Sequence, residues 1–382
     1  MKVHTTQPFQ VVYSLFEHEY LGYLFESFVV QINTKGQLTL QHQNISAKNA
    51  DEFSSRLDAR DFKLITLIDQ IQQDAVLKKF SSKKLSPIDF FLKVYDPEKG
   101  DKNMQDAISH YIQVRMGKIL DMLSDRKTFI MGKDGDPAWK EIQVAPEKAS
   151  VLFHFRRNED NTHYYPTIKY KDEKLHFQYR NAALICYEPA WLMLDGMVYS
   201  FEKAIDGKKL QPFLNKKFIV IPRSVEENYY RKFVTPLLES FDVRATGFDI
   251  KSERFTPSPY LTFSEIKSAD ASTLYSNGGT DASKAERIAA AADKILFNLS
   301  FKYGDYVVET QEAKRISVSM EKTEDSYIFH KLIRDAVHEK EYVRELAKRE
   351  LEVKNGQAVL DKSSAFSWLN SNLQELEDLG FT

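Results

Sequence analysis

Residues 9–16 and 23–32 are rich in Val, Phe and Tyr, and Asn33-Thr34-Lys35-Gly36 separates them from an alternating polar and apolar run at 37–41. Apolar, β-branched runs bounded by turn formers predict strands, here a β-meander. The period then changes. After the polar start at Asp58 and Asp61, Leu64, Ile68, Ile71 and Ala75 recur at the spacing of one helix face. Met104, Ile108, Tyr111, Ile119 and Leu123 mark a second helix, and Ser86-Pro87 opens a short one carrying Phe90 and Phe91.

From 126 to 222 the pattern returns to strands, at 128–131, 151–155, 164–170, 175–179 and 183–187. Asp195-Gly196 stands between two apolar runs and is the strongest hairpin signal in the chain, because Asp-Gly supplies the positive φ angles of a tight type I′ turn. Residues 224–241 place Tyr230, Phe233, Leu237 and Phe241 on one helical face, which Pro236 must kink or restart. Strands are expected again at 243–250, 260–266, 294–303, 306–309 and 316–320, with a Ser-, Gly-, Asp- and Ala-rich loop at 268–285. The C-terminal part reads as helical. A solvated helix spans 341–350. A final one spans 365–379, capped by Ser363 or Ser364, stopped by Gly380, and expected to pack its Phe366, Leu369, Leu373 and Leu376 face. The expected class is α+β. A β-meander plus helices fills 1–125, an antiparallel β-rich domain fills 126–322, and a helical segment fills 323–382.

With 42% hydrophobic, 28% charged and 13% aromatic residues, the 382-residue chain has the balance of a packed protein. Its net charge of −2 gives no global nucleic-acid signature, so any such function requires a local basic face. The single cysteine, Cys186, lies in an apolar run and reads as a core residue. It rules out an internal disulfide and Cys-rich zinc sites, and fits a reducing compartment. No apolar leader opens the chain, and no run reaches the ~20 apolar residues of a membrane helix. A cytoplasmic protein without membrane partners is expected.

A phosphate-cradling Walker A loop requires Gly, four residues, then Gly-Lys. Five residues before the glycines of Gly117-Lys118, Gly132-Lys133 and Gly207-Lys208 stand Ile112, Lys127 and Glu202. Neither Asp51-Glu52 nor Asp172-Glu173 continues as a helicase Walker B. The chain is therefore expected not to hydrolyse ATP. It contains no His-Glu-x-x-His and no Gly-x-Ser-x-Gly, and its nine histidines are scattered. No catalytic residue, cofactor or metal is assigned, and Asp134-Gly135-Asp136 reads as a surface turn. The main charge feature is the acid-free stretch 207–223, with Lys208, Lys209, Lys216, Lys217 and Arg223 around Phe213 and Phe218. It reads either as a ribbon that follows phosphates and stacks bases, or as a strand with solvated lysines and core aromatics. In a flat strand the paired lysines would point opposite ways.

Gln7-Pro8-Phe9-Gln10-Val11-Val12-Tyr13-Ser14-Leu15, Glu17-His18-Glu19-Tyr20-Leu21-Gly22 and Gln41-His42-Gln43-Asn44-Ile45 resemble the start of large bacterial Swi/Snf-type helicases. Pro189-Ala190-Trp191-Leu192, Gly207-Lys208-Lys209-Leu210-Gln211-Pro212-Phe213-Leu214 and the closing Leu373, Leu376, Leu379-Gly380-Phe381-Thr382 are similar to the same proteins. The resemblance implies a DNA-stimulated ATPase whose catalytic residues lie outside this chain, with this part upstream of the Swi/Snf-associated region and the motor. The implied role is a non-catalytic accessory module that positions or regulates that motor or docks a partner, and the motor and DNA are the implied partners. The alternative is a stand-alone nucleic-acid-binding protein using 207–223. A cut at a domain boundary is the expected meaning of the end soon after a helix stop.

Overall fold

The computed structural model describes residues 2–82, 84–266, 293–310 and 315–382. The loop expected at 268–285 lies outside the described residues. The class is α+β, as expected. The chain divides into two compact units. Met1–Arg156, Asn161–Ile221 and Phe241–Arg244 form the first; Arg157–Asp160, Pro222–Ser240 and Ala245–Thr382 form the second.

In the first unit, β1 (Phe9–His18), β2 (Gly22–Ile32) and β3 (Leu38–Asn44) form the expected meander. β4 (Thr128–Ile130), β5 (Lys140–Val144), β9 (Ala183–Tyr187), β10 (Ala190–Leu194) and β11 (Met197–Tyr199) extend it to eight strands in the order β3-β2-β1-β4-β5-β11-β10-β9. The boundary expected at 125 is therefore absent: strands from both sides of it share one hydrogen-bonded sheet. The purely antiparallel arrangement expected for 126–322 is also corrected, since β1 pairs β4 and β5 pairs β11 in parallel. Parallel neighbours require a long crossover, and the chain between β1 and β4 supplies one through its helices. The Asp195-Gly196 hairpin forms as expected: Leu194 pairs Met197, and φ is +50° and +83° at the two turn residues.

Four helices cover this sheet. Asp58 caps α1 (Ala59–Gln70) in a reciprocal capping box with Asp61, and Ser86 caps α3 (Pro87–Val94). With α2 (Gln73–Phe80) and α4 (Lys102–Met122) they bury Leu64, Ile68, Ile108, Ile112 and Ile119 against Leu24, Phe25 and Val29 of β2. Asp61 is buried and accepts a 2.7 Å hydrogen bond from the Tyr13 hydroxyl. Burial, and then this carboxylate, push the tyrosine's proton affinity far above its ordinary value. Cys186 sits in the same core, where burial raises its thiol to about 11. It is an inert packing residue, as its sequence context indicated.

A second sheet is built from β6 (Ser150–Arg157), β7 (Asn161–Tyr170), β8 (Glu173–Leu175), β12 (Ile219–Pro222) and β13 (Asp242–Thr246). It runs β12-β7-β6-β13, with β8 paired to β7.

In the second unit the helix expected over 224–241 is three pieces: α5 (Arg223–Tyr229), a π-helical turn Tyr230–Val234, and α6 (Thr235–Ser240). Pro236 has no N–H for the ladder, and the wide turn ahead of it inserts one extra residue. The buried face consequently moves from Phe233, which is 59% exposed, to Val234. Glu226, also buried, is held by Arg157 and Arg223, each at 3.1 Å, and by the Tyr230 hydroxyl at 3.0 Å.

The strand expected at 243–250 is broken at Gly247, whose φ is +94°. β14 (Asp249–Glu253) then pairs in parallel with β19 (Tyr327–Ile333), which pairs antiparallel with β18 (Ile316–Lys322). β15 (Ser258–Glu265), β16 (Lys294–Tyr303), β17 (Tyr306–Glu309) and β20 (Gln357–Asp361) form the last sheet, packed with α7 (Ala336–Lys348) and α8 (Lys362–Asp378). The segment 323–382 is therefore not purely helical. It supplies β19 and β20 to sheets begun before residue 322, so no boundary falls there.

The buried face of α8 is not the expected one. Ala365, Trp368 and Leu376 are buried, while Phe366 and Leu373 are each 53% exposed. The Trp368 ring meets Phe297 edge-on and its indole N–H donates to the Arg349 carbonyl at 2.5 Å, which fixes the helix rotation. The helix begins at Lys362 with no side-chain cap from Asp361, rather than with a serine cap. Gly380 ends it at φ +90°, with the reciprocal bonds of a Schellman turn from Gly380 to Glu377 and from Phe381 to Leu376.

Candidate nucleic-acid interface

Burial alternates strictly along β7. Thr162, Tyr164, Pro166 and Ile168 point inward, and His163, Tyr165, Thr167 and Lys169 point the other way. In β6, Phe153 and Phe155 go in and His154 and Arg156 go out. The inner face is an aromatic core in which Tyr164 stacks on Phe155 at 4.7 Å and meets Phe213 edge-on at 5.2 Å. Among the described residues the outer face is less covered: Phe218 is 40% exposed, Val220 47%, and His154, His163 and Tyr165 are half-buried. There, rings stack in two pairs. His154 lies on Tyr165 at 4.8 Å and 10°, and His163 lies on Phe218 at 4.1 Å and 11°.

Basic residues surround these rings. Arg156, Lys169, Lys174 and Arg244 are exposed. Lys169 and Lys174 are direct cross-strand partners, so they share a face. Like charges placed opposite each other destabilise a sheet, and an anion between them relieves that repulsion. The field is visible at His154. Burial first, and then Arg244, Lys174 and Arg156, hold its ring below the ordinary histidine range. Its Nε2 is buried with no hydrogen-bond partner. The ring thus takes up a proton less readily than a free imidazole, and it is half-buried against Tyr165. The acid on this face of β13, Asp242, is paired with Lys203 at 3.2 Å.

The residues expected to form a ribbon lie on different local structures. Lys208 and Lys209 belong to a 3-10 turn, Gly207–Lys209, and the Lys209 ammonium sits 6.0 Å from the Phe241 ring centroid. A second 3-10 turn, Gln211–Leu214, buries Phe213. Only from Ile219 is the segment a strand, so the strand-alternation argument does not apply to the lysines. The turns form because Asp206 caps the first and Pro212 suits the start of the second. Lys216 and Lys217 are exposed and lead directly into Phe218, which puts them at the edge of the aromatic face. Arg223 belongs to the second unit, where its Nε donates to the Glu159 carbonyl at 3.1 Å, its other nitrogens bond Asn158 and Glu226, and it closes a structural cluster.

His154, Arg156, His163, Tyr165, Lys169, Lys174 and Arg244 were missed by the sequence reading. Their strands were legible, but the identity of the uncovered face was not.

The surface-turn reading of Asp134-Gly135-Asp136 agrees with the structure. Among the described residues no three His, Cys, Asp or Glu side chains group as metal ligands, and no helix is long and apolar enough to cross a membrane. His330 bonds Glu321 and Glu253, and His338 bonds Asp335. Compared with protein-family models, with curated proteins and with solved structures, the chain matches none.

Proposed function

We propose that this chain is a non-catalytic accessory module that binds single-stranded nucleic acid on the outer face of the five-stranded sheet, alongside a Swi/Snf-type motor as the sequence resemblance implies. The observation that carries the binding role is the pairing of two stacked ring pairs, His154 with Tyr165 and His163 with Phe218, with four surrounding cations. Bases offer π-faces that extend such stacks, and phosphates neutralise the cations, without sequence preference. The whole chain's charge of −2 does not oppose this, since binding depends on the local field.

Fluorescence anisotropy with a labelled oligo-dT at two salt concentrations tests the proposal. Tyr165→Ala and Phe218→Ala should each weaken binding about tenfold, in line with about 1–3 kcal/mol per stacked base. Arg156→Glu with Arg244→Glu should flatten the salt dependence, by roughly 0.7 of a log–log slope unit for each phosphate no longer neutralised. Absence of binding by the wild type, or equal binding by all variants, overturns it. If only Lys208→Glu with Lys209→Glu abolishes binding, the 207–223 ribbon is the site instead.

A further inference from the structure

Three neighbouring strands of the second unit end in arginine at the same edge. Arg254 follows β14, Arg334 follows β19 and Arg315 precedes β18. The register places them side by side: Glu253 pairs Leu332, Ile316 pairs Ile333, and the Arg334 N–H donates to the Arg315 carbonyl at 2.9 Å. These residues line a cavity of about 630 Å³, to which α7 adds Lys340 and Arg344, one turn apart. Five cations thus face one hollow against two acids, Asp335 and Glu341. Asp335 is already engaged, bonding the Val337 and His338 backbone and the His338 ring.

Arg334 is fixed. It forms a bidentate pair with the buried Glu339, at 2.9 and 2.8 Å, and the Tyr303 hydroxyl bonds the same carboxylate. Arg254, Arg315, Lys340 and Arg344, in contrast, have no side-chain hydrogen bond or ion pair with any described residue. Four cations without a partner among the described residues, gathered round a concavity with Glu341 as its one unengaged lining acid, repel one another at a cost to the fold. A surface with no anionic ligand gains nothing from that arrangement. Guanidinium groups match phosphate oxygens in two-point contact, and the hollow has the volume of a small-ligand site. Phe255 and the 68%-exposed Val337 supply an apolar wall.

We infer that this cavity binds a small phosphate-rich anion, of nucleotide size or smaller. Hydrolysis is no part of the inference.

Isothermal titration of the full chain with inorganic pyrophosphate, and separately with ADP, tests it. Both should bind, and Arg344→Glu and Arg254→Glu should each weaken binding at least tenfold. Lys354→Glu, a reversal outside the cavity, should leave it unchanged. Tighter binding of ADP assigns the apolar wall to a base; equal binding assigns the site to free phosphates. Thermal melting establishes that each variant is folded. Loss of binding on Lys354→Glu, or no binding of either probe at millimolar concentration, overturns the inference. So does a short oligonucleotide that displaces pyrophosphate from the wild type and whose binding Arg344→Glu abolishes, because the cavity then reads a nucleic-acid backbone. Tyr165→Ala should not alter pyrophosphate binding, so failure here is separable from failure of the sheet-face proposal.

Discussion

In the eight-stranded sheet, α1–α4 cover one face, and β1 and β2 are buried along most of their length. In the five-stranded sheet one face is equally aromatic and buried, while on the other, among the described residues, the rings are half-buried or part-exposed and the cations exposed. Both sheets use Phe, Tyr and Val heavily. The difference lies in what is placed opposite what. The covered sheet sets apolar residues opposite one another at Val11 with Val29, Val12 with Phe28 and Leu15 with Phe25. The open sheet sets Lys169 opposite Lys174. The covered face is organised for stability, whereas the outer face of the other sheet brings like charges together.

The contrast breaks most decisively in the covered core. Phe25→Ala should lower stability by about 3–5 kcal/mol, the usual loss for a buried phenylalanine, read as a shift of the denaturant midpoint. Oligo-dT affinity should be unchanged wherever the variant is still folded. Weakened affinity in folded Phe25→Ala protein would show that the two sheets are not separate in function.

The hairpin of the covered sheet gives a smaller effect. Gly196 has φ +83°, so Gly196→Val should cost about 1–2 kcal/mol through left-handed strain. An unchanged melting temperature would contradict the tight turn.

On the open face the expectation reverses. Phe218 is part-exposed, so Phe218→Ala should move the melting temperature only slightly while weakening oligonucleotide binding about tenfold. A large loss of stability would reassign that ring to the core.

His154 sharpens the comparison through pH. Its folded-state pKa lies below the ordinary 6.5, so charging it costs more in the folded chain than in the unfolded one. Its contribution is complete above about pH 6.5 and is lost as pH falls through the folded-state value. His330 and His338 are raised by their carboxylate partners, so their contributions are present at low pH and fade as pH rises. The difference between wild type and His154→Phe, followed by melting from about pH 7.5 to about pH 5, isolates the first effect. Wild type should lose stability on acidification relative to the variant; parallel curves would deny it.

The smallest effect belongs to α8. Leu373 is exposed, so Leu373→Ala should change stability by about 0.5 kcal/mol or less, measured by chemical denaturation. A loss near that of a buried leucine would restore the face expected from its spacing.

Much of the local structure was legible. The capping residues Asp58 and Ser86, the Asp195-Gly196 turn, the meander and the Gly380 stop are short-range features, decided by neighbours along the chain. The burial of Cys186 followed from its apolar run in the same way. Long-range pairing was not legible. That β4 joins β1 in parallel and β5 joins β11, uniting segments either side of residue 125, depends on contacts between residues far apart in sequence. On α8, apolar spacing allowed more than one buried face, and the partners of Trp368 chose between them. The candidate interface shows the same limit. Alternation determined that His163 and Tyr165 share one side of a strand and Tyr164 the other, because the period of a strand is local geometry. Which side forms the core was decided only when Phe153, Phe155 and Phe213 closed over Tyr164, leaving the neighbouring rings half-buried.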